Sequence, residues 1–247
     1  LSRNRALKAQ QQQSRRMPAE LDSNIVQFQT RKVSQRPIDL IPRTKNQERL
    51  VLALQDATQH IVVTAGPAGT GKTYLAMLAA VKALREGVID RIVMTRPAVG
   101  VEGEQHGFLP GNLVAKMEPW TRPLLDVMRE YYRPQEIAAM IDDQIVEIAP
   151  LAFMRGRTFK NAWIIADEMQ NATPAQVKML MTRIGSNSKI IITGDVEQAD
   201  RQYGDNGLMD LCERLGKGGV NGIAVCELDG RDVQRHRIIS SVLKLYQ

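Results

Sequence analysis

Aromatic side chains are scarce in this 247-residue chain, where Phe, Trp and Tyr together make up 4%. Any core must therefore be assembled from Ile, Leu, Val, Ala and Met, which the 43% apolar content supplies. Cysteine is rarer still. Cys212 and Cys226 have neither the spacing of a metal-ligand set nor the density of a disulfide framework, so both are expected to be ordinary buried thiols. No stretch approaches the roughly 18 uncharged apolar residues of a membrane span, and no apolar signal core opens the chain. The expectation is a cytoplasmic protein without membrane contact. No internal repeat is visible, and the length suits one large α/β domain with appendages.

Acidic residues are nearly missing from residues 1–36, where eight Lys and Arg face only Glu20 and Asp22. That stretch alone accounts for the net charge of +6, and the remaining charges cancel. The expected organisation is a basic, partly disordered arm over 1–36 and a single domain over 37–247. A basic arm suits nucleic acid phosphates; a solubilising leader is the plainer reading. Within the arm, Ile25-Val26-Gln27-Phe28 has the pattern of a short strand.

What is present is more specific. The apolar run Ile61-Val62-Val63 leads into Gly66-Pro67-Ala68-Gly69-Thr70-Gly71-Lys72-Thr73, and a helical pattern over 74–84 follows. This is a complete phosphate-binding loop between a strand and a helix. Its glycines let backbone N–H groups turn inward around a polyphosphate. Lys72 suits the β and γ phosphates, the Thr73 hydroxyl suits Mg²⁺, and the helix N-terminus adds its positive dipole. Upstream, Gln47 opens a helix and has the amide donor and acceptor that pair with adenine; an exposed helix glutamine is the plainer alternative.

Two further apolar runs end in polar residues. Ala162-Trp163-Ile164-Ile165-Ala166 ends in Asp167-Glu168, and Lys189-Ile190-Ile191-Ile192 ends in Thr193-Gly194-Asp195. Continuous apolar runs of this length read as strands covered on both faces. Carboxylates at their C-terminal ends are placed for Asp167 to hold Mg²⁺ and Glu168 to polarise an attacking water. Gln198 is a candidate sensor of the γ-phosphate. Thr173-Pro174 reads as an N-cap and first-turn proline, with a helix over 175–184. The glycine-rich segment 98–111 reads as a functional loop. Arg155 and Arg157 fall close to the expected active face.

Together, the phosphate loop, Asp167-Glu168-Met169-Gln170-Asn171 and Thr193-Gly194-Asp195-Val196-Glu197-Gln198 resemble motifs of superfamily 1 helicases. Gln47 resembles their adenine-reading glutamine, and Thr95-Arg96-Pro97 their strand-end motif for single strands. A one-domain chain with this set resembles the PhoH family of phosphate-starvation-inducible ATPases. Gly107-Phe108-Leu109-Pro110-Gly111, Met154-Arg155-Gly156-Arg157-Thr158-Phe159 and Arg235-His236-Arg237 add to the likeness, and Met169 stands where that family usually has alanine. The resemblance implies a RecA-like P-loop NTPase fold of class α/β, with a mainly parallel sheet and helices on both faces. It also implies ATP hydrolysis, an RNA-related role and a hexameric ring. A lone domain covers only one side of a nucleotide, and phosphoryl transfer gains from an arginine supplied in trans. Arg235, Arg237 and Arg231 are the candidates, in that order. The expected cofactors are ATP and Mg²⁺, with single-stranded RNA or DNA as partner. A switch acting on protein partners and a small-molecule kinase remain as alternatives.

Overall fold

Ile61, Val62, Val63, Thr64 and Ala65 are all buried and form β1 (Ile61–Ala65), a strand with neighbours on both sides. The structure is a computed structural model that describes residues 37–97, 122, 125–196, 198 and 206–234. The strand expected at 25–28, the loop over 98–111, Arg235, Arg237 and the helix expected over 238–245 lie outside the described residues. The described residues all belong to one compact unit, Arg36–Gln247.

Five more strands complete the sheet: β2 (Arg91–Arg96), β3 (Val146–Pro150), β4 (Ala162–Ala166), β5 (Lys189–Gly194) and β6 (Ile223–Glu227). Every pairing is parallel, in the order β3-β2-β4-β5-β1-β6. One strand, β5, separates the strand that precedes the phosphate loop from the strand that ends in Asp167-Glu168. This is the RecA-like P-loop architecture that the sequence led us to expect.

The period-2 alternation of strand side chains divides the core into two layers. Val62, Ile92, Met94, Val146, Trp163, Ile165 and Ile191 point to one face. There they meet α1 (Lys45–Gln55), α2 (Lys72–Arg85), α3 (Pro134–Asp142) and a helical stretch over 125–129. Ile61, Val63, Val93, Ile164, Ile190 and Ile192 point to the other, against α4 (Pro174–Met181) and α5 (Gly207–Lys217). Cover on both faces explains why the strands read as unbroken apolar runs. Burying each Val, Leu or Ile side chain contributes on the order of 1.5–3 kcal/mol, so the two layers are the main source of stability. Cys226 is buried and Cys212 half-buried, both as free thiols. Burial pushes Cys212 up to about 11, as expected of inert packing residues.

Helix ends follow their sequence signals, with one exception. Thr173 caps α4 by accepting from the Gln176 N–H at 3.3 Å, and the Gln176 amide returns a bond to the Thr173 N–H at 2.8 Å. The helix stops at Met181 instead of running to 184. The chain there turns to lie along the 157–160 segment, where Phe159 N–H donates to Arg183 C=O at 3.0 Å. A Cβ at Gly185 would sit 2.2 Å from the Phe159 carbonyl oxygen, so only glycine permits this approach.

Lys189 ties a strand start to a helix end. Its ammonium donates to the carbonyls of Leu54 at 2.6 Å and Asp56 at 2.9 Å, which terminates α1, and it lies 4.9 Å from the Trp163 ring centroid. Burial pushes this ammonium down to about 8 from its ordinary 10.5, against the opposing pull of Asp56. A lysine whose pKa falls on folding opposes folding while it is protonated. That penalty is complete below about pH 8 and is lifted as pH rises towards 10.5. The stability of the native chain relative to a Lys189→Met variant should therefore increase between pH 8 and 10, as read from urea midpoints; a constant difference would refute the shift.

Candidate functional site

The loop after β1 is shaped by three glycines with positive φ: Gly66 at 152°, and Gly69 and Gly71 at 85°. At Gly66 a Cβ would sit 2.3 Å from the Leu228 carbonyl oxygen, because the chain after β6 runs hard against the loop. Gly71 occupies the left-handed N-cap position of α2, so helical N–H groups face the loop interior. Lys72 is buried at the base of the loop. Its ammonium donates to the carbonyls of Gly66 at 2.5 Å and Pro67 at 2.8 Å. Thr70 Oγ1 also donates to Pro67 C=O, at 2.9 Å. The Ala68 N–H donates to the Asp195 carboxylate at 3.2 Å, which fastens the loop tip to the end of β5.

The acid pair stands opposite. Asp167 is 3% exposed, and a buried carboxylate requires partners. Thr73 Oγ1 donates to Asp167 Oδ1 at 2.8 Å, and Thr193 Oγ1 donates to the same oxygen. Arg96 Nη2 donates to Asp167 Oδ2 at 2.7 Å and to Glu168 Oε1 at 3.4 Å. The carboxylate is thus held from α2, β5 and β2 together. Glu168 has φ 56° and ψ 38°, a left-handed conformation that glutamate seldom adopts. The cost is tolerated because it turns the side chain outwards, 45% exposed, above the cleft. Gln170 Nε2 steadies it by donating to Glu168 Oε2 at 2.6 Å, while Gln170 Oε1 accepts from the Asp195 N–H at 3.1 Å.

The sequence candidates therefore converge. A cleft of about 250 Å³ is lined by Ala68, Gly69, Gly71, Lys72, Thr73, Asp167, Glu168 and Gln198, with Tyr74, Gly194 and Asp195. Gln198 lies exposed at its rim, its N–H donating to Asp195 C=O at 3.2 Å. The Thr73 hydroxyl and Asp167 carboxylate, 2.8 Å apart, are hard oxygen donors of the kind Mg²⁺ accepts beside water and phosphate oxygens. Those two residues fit that ion.

Gln47 needs a different account. It is 4% exposed, which excludes the exposed alternative. Its Nε2 donates to Thr70 C=O at 2.9 Å and its Oε1 accepts from the Arg43 N–H at 2.8 Å. One amide N–H and one lone pair remain for a base, while the first of each braces the loop. Arg157 is bound at 2.5 and 2.7 Å to Glu147 and stacks on Phe159, away from the cleft. Arg231 is engaged by Asp229 at 2.6 Å, which holds that carboxyl down to about 2. Sequence reasoning missed the Arg96 contact with both acids and the Asp195 contact with Ala68. Both residues stand inside strand-end motifs that the sequence singled out, but the partners of their side chains leave no local signal.

A family model described as "PhoH-like protein" matches residues 39–247. The chain belongs to the PhoH-like family. A PhoH-like protein of Bacillus subtilis is 45% identical over 204 residues, covering 83% of this chain and 63% of that protein. A PhoH-like protein of Mycobacterium tuberculosis H37Rv is 45% identical over 215 residues, covering 87% and 60%. Protein PhoH of Escherichia coli K12 is 38% identical over 187 residues, covering 74% and 52%. The chain thus spans between about half and two thirds of the length of these PhoH-like relatives. Among solved structures, the helicase domain of Pyrococcus furiosus Hef aligns with TM-score 0.42 at 14% identity, covering 76% of this chain and 39% of that one. Bacteroides sp. Pif1 in complex with ADP-AlF4 aligns at 0.28 and 15%, covering 83% and 46%.

Replacing Gln47 with Leu would leave the buried Thr70 carbonyl and the partly buried Arg43 N–H without the amide that pairs them. The expected loss is about 1–3 kcal/mol of unfolding free energy, measured by urea titration. Unchanged stability would show that the amide does not brace the loop.

Proposed function

We propose that this chain binds ATP with Mg²⁺ and hydrolyses it to ADP and phosphate, coupled to single-stranded nucleic acid. The observation that carries the reading is the meeting of loop, Lys72, Thr73 hydroxyl and Asp167-Glu168 at one cleft. In this reading the loop N–H groups and Lys72 hold the polyphosphate. Thr73 and Asp167 would hold Mg²⁺, which supplies positive charge to the phosphate oxygens. Glu168, exposed above the cleft and fixed by Gln170, orients the attacking water and accepts its proton. Gln198 at the rim is placed to respond to the terminal phosphate. The adjacent Asp167-Glu168 pair favours water over a small-molecule acceptor.

The ring belongs to the same proposal. A lone domain covers one side of a nucleotide, and an arginine from a neighbouring copy would complete the site. Arg235 and Arg237 remain the first choices; Arg231, bound to its own Asp229, ranks below them. No helix among the described residues is long and apolar enough to cross a membrane. Work in the cytoplasm is part of this reading. An ATP-driven switch on protein partners is the second reading, and nothing in the cleft favours it.

Glu168→Gln should retain ATP binding and lose on the order of 10²-fold or more in turnover, while Lys72→Ala should lose binding itself. Normal hydrolysis by Glu168→Gln would remove that residue from the mechanism. Mixing Lys72→Ala with Arg235→Ala subunits tests the arginine in trans. Turnover should recover in the mixture, where intact clefts meet intact arginines, and a merely averaged activity would argue against it.

A further inference from the structure

The 3₁₀ turn Leu151–Met154 carries a feature that the nucleotide site does not use. Leu151 and Met154 are buried, but Phe153 is 55% exposed, the most exposed aromatic ring among the described residues. Two residues on, Arg155 is also exposed and has no hydrogen bond or ion pair among the described residues. Its neighbour Arg157 shows the contrast, bound through both guanidinium nitrogens to Glu147. A groove of about 470 Å³ runs beside Arg155 and along the start of α4, lined by Ala152, Thr173, Gln176 and Met179.

Basic residues dominate this stretch of the chain. Residues 151–166 and 169–189 contain no Asp or Glu, while Arg155, Lys160, Lys178 and Arg183 all belong to them. The domain is close to neutral as a whole, so this is a local excess. A lone ring in a cationic setting, rather than a broad apolar patch, suits bases and phosphates better than a protein surface. The turn also starts at the active edge of the sheet. Pro150 at its entrance is the register partner of Arg96 on β2, and Arg96 holds Asp167 and Glu168.

We propose that Phe153 and Arg155 form a platform for single-stranded nucleic acid, with a base stacked on the ring and a phosphate on the guanidinium, and that its occupancy reaches the ATP cleft through Pro150 and Arg96. The inference rests on the nucleic-acid-coupled reading above and gives it a location. Stacking on one ring contributes on the order of 5- to 100-fold in affinity. One phosphate contact contributes about one unit to the slope of log affinity against log salt.

The test uses the full chain with fluorescein-labelled oligo-rU and oligo-dT across a salt series, together with ATP turnover. Phe153→Ala should bind about 5- to 100-fold more weakly with an unchanged salt slope. It should also lose oligonucleotide stimulation of turnover, and Phe153→Trp should restore both. Arg155→Ala should lower the slope by about one. Thermal midpoints report folding; both side chains are exposed, so neither variant should unfold. Tighter binding of either oligonucleotide still supports the platform and assigns the sugar it prefers. If the native chain binds the oligonucleotides and Phe153→Ala binds equally well, the platform is overturned while the coupled reading stands. If the native chain binds neither, both fall.

Discussion

The Asp167 carboxylate is buried where α2, β2 and β5 converge. A charge buried to this degree is expensive unless every lone pair is engaged. Two threonine hydroxyls and one arginine meet that demand, and each comes from a different element: Thr73 from α2, Thr193 from β5 and Arg96 from β2. The side chain that would hold the metal is thus also the tie between the phosphate loop and three strand ends. Stability and chemistry draw on one group, so substitutions at these partners should be judged on both.

Parallel order in the sheet makes this arrangement possible. Because all six strands run the same way, every strand's C-terminal residue arrives at the same edge. Ala65, Arg96, Pro150, Ala166 and Gly194 are such ends, and the residues after them build the cleft and the neighbouring turn. The intervening β5 sets the acid pair one strand away from the loop strand and supplies Thr193 and Asp195 in the gap. Small residues are needed there. A Cβ at Gly194 would sit 2.5 Å from a Leu208 methyl and 2.6 Å from the Gln170 amide oxygen.

Most of this was legible in the sequence where backbone geometry dictates residue type. The loop glycines, the apolar strands and the Thr173-Pro174 cap each have one conformation that favours them, and each is found in it. The end of α4 was not legible, because it is set by Phe159 and Gly185 meeting across the fold, a contact with no local signal. The same is true of Arg96, whose side chain turns to the acids instead of remaining free for a ligand. Gln47 illustrates a third case. The amide was read as a partner for adenine, but it has two ends, and both are partly committed to bracing Thr70 and Arg43.

After β6, the Leu228 N–H is held by Ala65 C=O at 2.8 Å, Asp232 is buried against Asn46, and the Gln234 N–H donates to Gly69 C=O at 2.9 Å. The downstream backbone is therefore stitched to the phosphate-binding loop itself. Any reshaping of Gly69 would have to break or drag that stitch. A displacement at Gly69 and a displacement at Gln234 are therefore geared together by a single amide.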